Sequence, residues 1–223
     1  MKKMKAPTFE RYIYCTDIHG SPLFESFMDH FHDGKTKFYI LGDIFDRGDN
    51  SFEVIEKIMK MHKEGYMDMV LGNHDLFFML GVGLYSTTNN IIKNISESFV
   101  GQEKEICEIF RAFYGQLMGN DGKTTFRSLQ KGYGDDYLKK LDEIIDFLWT
   151  HFSLYHRDEL GNLLIHGGIP ILDDGSIVGE EIDGRYYSGI DYVVRLNDLM
   201  KKVGYSNARE IIHHSWSIWK ENI

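Results

Sequence analysis

Basic residues are the minority charge in this chain of 223 residues: 25 Lys and Arg against 34 Asp and Glu leave a formal net charge of −9. A surface that tracks a nucleic-acid backbone needs clustered cations, so that class of partner is set aside. Cysteine is scarcer still. Cys15 and Cys107 stand far apart and form no metal-type pair, and Cys15, inside an apolar run, reads as a small buried hydrophobe. No apolar run is long enough to cross a bilayer. The basic start Met1–Lys5 is followed by no apolar signal core, so a cytoplasmic location is the expectation. Internal repeats, low-complexity tracts and a Gly-x-Ser-x-Gly nucleophile motif are also lacking.

What is present is concentrated in four short stretches: Asp17-Ile18-His19-Gly20, Gly42-Asp43-Ile44-Phe45-Asp46-Arg47-Gly48, Gly72-Asn73-His74-Asp75 and Ile165-His166-Gly167-Gly168. Each follows a short β-prone run, namely Tyr12–Cys15, Phe38–Leu41, Met67–Leu71 and Leu163–Ile165. Strands that end in oxygen and imidazole ligands with glycine are how an α/β sheet builds a site at its carboxyl edge. With 43% hydrophobic and 14% aromatic residues the chain can fill the core of one domain, residues 1–223, with a sizeable insertion.

Residues 11–76 read as β-α-β-α-β. Ser21-Pro22 predicts a helix start over about 22–32 closed by Gly34, and Val54, Ile55, Ile58, Met59 and His62 predict a second helix over 51–63 closed by Gly65. Residues 77–156 change character. Three stripes at helical spacing follow: Ile91, Ile92, Ile95 and Phe99; then Ile106, Ile109, Phe110, Phe113 and Leu117; then Leu138, Leu141, Ile145, Leu148 and Phe152. Breaks fall at Gly101, at 119–122 and at 132–135, and the stretch reads as a helical insertion that roofs the site or simply covers the sheet. Beyond Leu163, a turn at Asp173-Asp174-Gly175 predicts a hairpin or loop pair from 169–172 and 177–178. Ser188–Asp191 predicts a helix start, and a last helix carries Trp216 and Trp219.

The chemistry of these residue types is specific. Asp17 and His19 offer a hard oxygen and a borderline nitrogen, a mixture that suits Mn, Fe or Zn; the plainer reading is a turn carboxylate beside an exposed imidazole. Asp43, leaving its strand after Gly42, is placed to bridge two cations. Arg47 offers a forked, permanently charged donor for a phosphoryl group, against the alternative of an Asp–Arg surface pair in a tight turn. Asn73 can ligate through its carbonyl without adding charge. His74 can act as an acid, with Asp46 to orient its ring and hold its proton. His166 is a further ligand candidate or else a buried histidine bonded to backbone.

This order of motifs resembles the calcineurin-like metallophosphoesterase superfamily. The resemblance implies an αββα-type sandwich with two divalent metal ions at the strand ends, Mn first with Fe, Zn or Mg as alternatives. By motif, Asp17 and His19 would hold the first ion, Asp43 would bridge, and Asn73 and His166 would hold the second. His74 paired with Asp46 would be the acid, and Arg47 would bind phosphate. Gly42–Gly48, Gly72–Met79, Asn89–Ile92, Gly132–Gly134, His166–Pro170 and Ile182–Gly189 are most similar to class III fructose-1,6-bisphosphatases. That implies hydrolysis of fructose 1,6-bisphosphate to fructose 6-phosphate in gluconeogenesis, a sugar-phosphate substrate and no nucleic-acid or membrane partner, with self-association left open. A Ser/Thr protein phosphatase and an inactive binding module of the same fold are the alternatives. Family members carry a later Gly-His motif and class III enzymes are much longer. The expectation is therefore an N-terminal fragment, with His213-His214 as helix histidines rather than substitute ligands.

Overall fold

Alternation along three short strands sets the architecture. β1 (Arg11–Cys15), β2 (Thr36–Leu41) and β3 (Met67–Val70) form a parallel sheet in the order β1-β2-β3. Tyr14 pairs with Tyr39 and Ile40 with Met69 in register. Successive side chains point to opposite faces of a strand. Ile13, Cys15, Phe38, Ile40, Met67 and Met69 accordingly join the main core, whereas Tyr12, Tyr39, Leu41 and Val70 form a second cluster with Leu164. The computed structural model describes residues 8–83, 113–167, 179–182 and 185–188, the last two segments as backbone.

α1 (Phe24–Phe31) and α2 (Ser51–Lys63) cover the first face, burying Phe24 and Met28, and Val54, Ile55, Ile58 and Met61. Each fully buried side chain of this kind contributes about 1.5–3 kcal/mol relative to exposure. α2 has the bounds its sequence predicts. α1 starts later, because Ser21 does not cap it: its hydroxyl accepts from Leu23 N at 3.3 Å in a local turn, and the helical path begins beyond that turn. α3 (Asn73–Gly83) leaves β3 directly and is apolar on every side, which suits a helix buried within the core.

Residues 113–119 are helical and bury Phe113 and Leu117, and α5 (Tyr137–His151) buries Leu141, Ile144, Ile145, Leu148 and Trp149. Between them lies a further helix that none of the three sequence stripes covers, α4 (Gly122–Tyr133). Its buried positions are Gly122, Thr125, Ser128 and Leu129, mostly small and polar, with Phe126 and Tyr133 packed against the core beside them. β4 (Tyr155–Arg157) and β5 (Leu163–Ile165) form an antiparallel hairpin against the second sheet face. Leu164 packs there, and the Tyr39 ring lies 5.6 Å from that of His156. β6 (Gly179–Ile182) and β7 (Arg185–Ser188) form another antiparallel pair. The expected α/β class holds, and among the described residues helices cover one face of the parallel sheet. The stripes at Ile91–Phe99 and Ile106–Phe110, the turn at 173–175, the helix from Ser188 and the segment with His213, His214, Trp216 and Trp219 lie outside the described residues. Among the described residues no helix is long and apolar enough to cross a membrane.

Candidate metal centre

The loops that follow β1 and β2 are laced together by backbone. Asp17 N donates to Gly42 O, His19 N to Asp43 O at 2.9 Å, Gly20 N to Ile44 O at 2.9 Å, and Gly48 N back to His19 O at 3.0 Å. Such lacing forces unusual dihedrals. Among the described residues six non-glycine positions have positive φ, and five of them are Asp17, His19, Asp43, Asp46 and Arg47. Each costs of order 1–3 kcal/mol unless its surroundings hold it there, and strain of this kind gathers at functional sites. Gly42 is required in place. A Cβ on it would lie 2.6 Å from Gly72 N and 2.7 Å from His166 Nδ1, so any side chain would push the loops after β2, β3 and β5 apart.

Three imidazoles converge in the same manner. His19 Nδ1 lies 2.8 Å from Phe45 O, and His166 Nδ1 lies 2.5 Å from Leu41 O. His74 Nδ1 lies 2.8 Å from Asp46 Oδ2. A carbonyl or carboxylate can only accept, so each Nδ1 carries the proton and donates outward, which presents Nε2 to the interior. That is the arrangement of ligating histidines, whose other N–H is fixed by a second group. His19 Nε2 is buried and has no hydrogen-bond partner among the described residues; its neighbours are Asp17 Oδ1 at 3.6 Å and Asp43 Oδ2 at 3.9 Å. An orphaned, buried nitrogen facing two carboxylates fits a divalent cation.

Two triads have ligand atoms within 4.8 Å of one another: His19, Asp43 and His74, and Asp17, Asp43 and His166. Asp43 belongs to both. Its Oδ2 lies 3.2 Å from His166 Nε2 and 4.0 Å from His74 Nε2, and its Oδ1 accepts from His74 N. Asn73 opens α3 immediately before His74 and is half-buried. Arg47 Nη2 lies 3.4 Å from His74 Nε2, so guanidinium and imidazole address one spot. All eight residues singled out from the sequence thus sit on the four loops at this edge.

Electrostatics follow from burial and these contacts. Burial works to raise Asp43, but the hydrogen bond and charge of His166, then His74, outweigh it and hold the carboxyl below its ordinary range. Burial also works against the charged form of His166, yet Asp43 lifts that imidazole to about 9. Asp46 is raised, chiefly by burial, although His74 and Thr125 bond to it. Asp75, which the sequence reading passed over as a site residue, is wholly enclosed and raised to about 7 by burial and then by the charge of Asp43. Its oxygens accept from Asp43 N, Ile44 N and Gly72 N at 2.8–2.9 Å, so it fastens the bridging loop to the start of α3. The available signal was a carboxylate three residues after Gly72, where a capping residue reaches back to the helix start.

A family model described as Calcineurin-like phosphoesterase matches residues 11–221. Over 51 residues the chain is 43% identical to a fructose-1,6-bisphosphatase class 3 of Lacticaseibacillus casei, a stretch that covers 23% of this chain and 8% of that protein. Over 88 residues it is 33% identical to a fructose-1,6-bisphosphatase class 3 of Alkaliphilus metalliredigens, covering 36% of this chain and 13% of that protein.

Proposed function

The chain belongs to the calcineurin-like phosphoesterase family, and on that premise we propose that it is a phosphomonoesterase that uses two divalent metal ions, Mn first among them, to release phosphate from fructose 1,6-bisphosphate. The observation that carries the two-ion reading is the membership of Asp43 in both ligand triads. Asp17 and His19 would hold one ion and Asn73 and His166 the other, with Asp43 common to both; the two triads themselves group Asp17 with His166 and His19 with His74. When bound, such ions supply positive charge that acidifies a water nucleophile and draws electron density from the phosphoryl oxygens.

The chain's own residues do the rest. Arg47 binds phosphoryl oxygens through its fork and keeps its charge throughout the reaction. Water adds to phosphorus as the P–O bond to the sugar breaks, and His74 Nε2 gives its proton to the departing alkoxide. Asp46 holds Nδ1–H at 2.8 Å, which fixes the orientation of the ring. The sugar bisphosphate as substrate is supported by the two partial matches to class 3 fructose-1,6-bisphosphatases.

Phosphate release by the purified chain with Mn²⁺, measured side by side on fructose 1,6-bisphosphate and a phosphoserine peptide, tests the substrate. Turnover of the sugar with little of the peptide is expected, and the reverse order removes the bisphosphatase reading. Metal analysis of Asp43→Asn tests the centre: both ions should be lost, whereas two tightly held ions would take Asp43 out of the bridging role.

A further inference from the structure

α4 touches the loop after β2 through a side chain far from it in sequence. Thr125 is fully buried. Its Oγ1 accepts from Asp46 N at 2.9 Å and from Ser51 Oγ at 3.3 Å, and donates to Asp46 Oδ1 at 3.3 Å. A hydroxyl has one proton and two lone pairs, so the full capacity of Thr125 is used here. Two of the three bonds go to Asp46, a residue with a φ of 70°. Asp46 then divides its carboxylate: Oδ1 faces Thr125 and Oδ2 faces His74 Nδ1 at 2.8 Å.

Beside the apolar contacts of Phe126, Leu129 and Tyr133, the docking of α4 carries polar bonds along its length. Ser128 Oγ accepts from Phe52 N at 3.0 Å in the first turn of α2, and Tyr133 Oη donates to Glu56 Oε1 at 2.5 Å. Gly132 meets the face of Phe52, where a Cβ would overlap the ring. Asn50, at the N-cap of α2, makes no side-chain cap bond, so Ser128 supplies a partner for that helix start. α4 is therefore held in one register against α2, and Thr125 is delivered to Asp46 by that register.

We propose that Thr125 is a positioning residue for the proton donor: it fixes the rotation of the Asp46 carboxylate and, through it, the direction in which His74 presents Nε2. The proposal rests on the reading of His74 as the acid that protonates the leaving oxygen. It makes the α4 segment part of the catalytic apparatus. A threonine that merely satisfied the loop backbone would need only the bond to Asp46 N; the second bond, to Oδ1, is the one that restrains the carboxylate.

Thr125→Val keeps the shape and removes the hydroxyl, and Thr125→Ser keeps the hydroxyl. With an alkyl phosphate, whose leaving oxygen needs a proton, kcat should fall about tenfold in Thr125→Val with KM little changed. With p-nitrophenyl phosphate, whose leaving group departs unaided, the fall should be well under that, and Thr125→Ser should restore both. Equal falls on the two esters, or no rescue by serine, would overturn the proposal. A second readout is independent of turnover. The Nδ1–H proton resonance of His74, identified by its loss in His74→Ala, should exchange faster with water in Thr125→Val and stay protected in Thr125→Ser; an unchanged resonance in the valine variant also overturns it. If the valine chain does not fold, Thr125→Ala, with room for a water beside Asp46, takes its place in both measurements. Should the wild type hydrolyse neither ester, the phosphatase reading fails, and the resonance alone decides the role of Thr125.

Discussion

Two of the Asp–His pairs among the described residues lie at opposite ends of the parallel sheet, and they do opposite things. Asp46 and His74 follow the carboxyl ends of β2 and β3, and the pair is buried: Nδ1 is tied to Asp46 while Nε2 looks into a space shared with Asp43, His19 and Arg47. Asp68 and His62 lie near the start of β3 and the end of α2. There His62 Nδ1 is shared between Asp68 at 3.3 Å and Met67 O at 3.0 Å, and its ring packs on Phe147, His151 and Phe152. The other oxygen of Asp68 takes Lys37 Nζ at 2.8 Å, a cation that also donates to Gly65 O. Identical side chains at hydrogen-bond distance make a site in one case and a brace in the other. The difference is where the second ring nitrogen points and whether the backbone beneath is held in left-handed conformations.

Breaking each pair should separate chemistry from stability. His74→Ala should lower kcat on an alkyl phosphate by about 10²–10⁴, the usual contribution of a general acid, while metal content stays near that of the wild type. His62→Ala should leave kcat within about twofold, since the ring is far from the site edge and shares no group with it. Parallel loss of metal and turnover in His74→Ala would instead make His74 a ligand in the triad with His19 and Asp43. Steady-state rates with elemental analysis of the same preparations decide between the two.

The first pair was legible in the sequence, the second was not, and the reason is local order. Asp43, Asp46 and Arg47 stand within six residues of a strand end, and Asn73-His74 begins three residues after another, so spacing alone places them on one edge. The strands and α2 were equally plain, because β-prone runs and an apolar stripe at 3.6-residue spacing announce them. Thr125 was hidden for the opposite reason. α4 packs largely through glycine, threonine and serine, which lower helix propensity, and its apolar positions are few (Phe126, Leu129 and Tyr133), so the breaks at 119–122 and 132–135 looked like one irregular stretch around a helix. Spacing of the small residues Gly122, Thr125, Ser128 or Leu129, and Gly132 at three- and four-residue intervals was the signal that could have found it. Asp75 was visible as a residue but not as a brace, since its three N–H donors come from two loops about 30 residues apart.

Asp68→Asn should produce the next largest effect, on folding rather than on rate. Lys37 has only 6% of its side chain exposed, and the substitution removes its counter-charge and leaves the ammonium only neutral partners such as Gly65 O and the faces of Phe9 and Tyr39. The expected cost is about 2 kcal/mol, or a fall in Tm of about 6 °C, with kcat of the folded enzyme unchanged. Thermal unfolding followed by circular dichroism measures it, and a stable variant with lowered kcat would erase the contrast between the two pairs.

The smallest effect is the most diagnostic, because it depends on pH. The hydrogen bond to Asp68 raises His62 above its ordinary value, with burial acting against it, then Met67 O and the charge of Asp68 adding and Lys37 opposing. Burial works to raise Asp68, but His62 and Lys37 override it and hold the carboxyl low. A histidine raised in the folded state stabilises fully below its unfolded pKa of about 6.5 and loses that contribution as pH rises through the folded value. A depressed aspartate stabilises above its unfolded pKa of about 3.9 and loses that contribution as pH falls through its folded value. Both are complete only between about pH 4 and 6.5. His62→Gln should therefore cost most in that window, about 1 kcal/mol, and progressively less as the wild-type imidazole loses its proton above it, where the Lys37–Asp68 contact persists alone. Denaturant midpoints for both proteins at pH 5.5 and pH 9 read the difference directly. A gap that widened at pH 9 would mean that the neutral ring, and not the charged pair, is what α2 uses to hold β3.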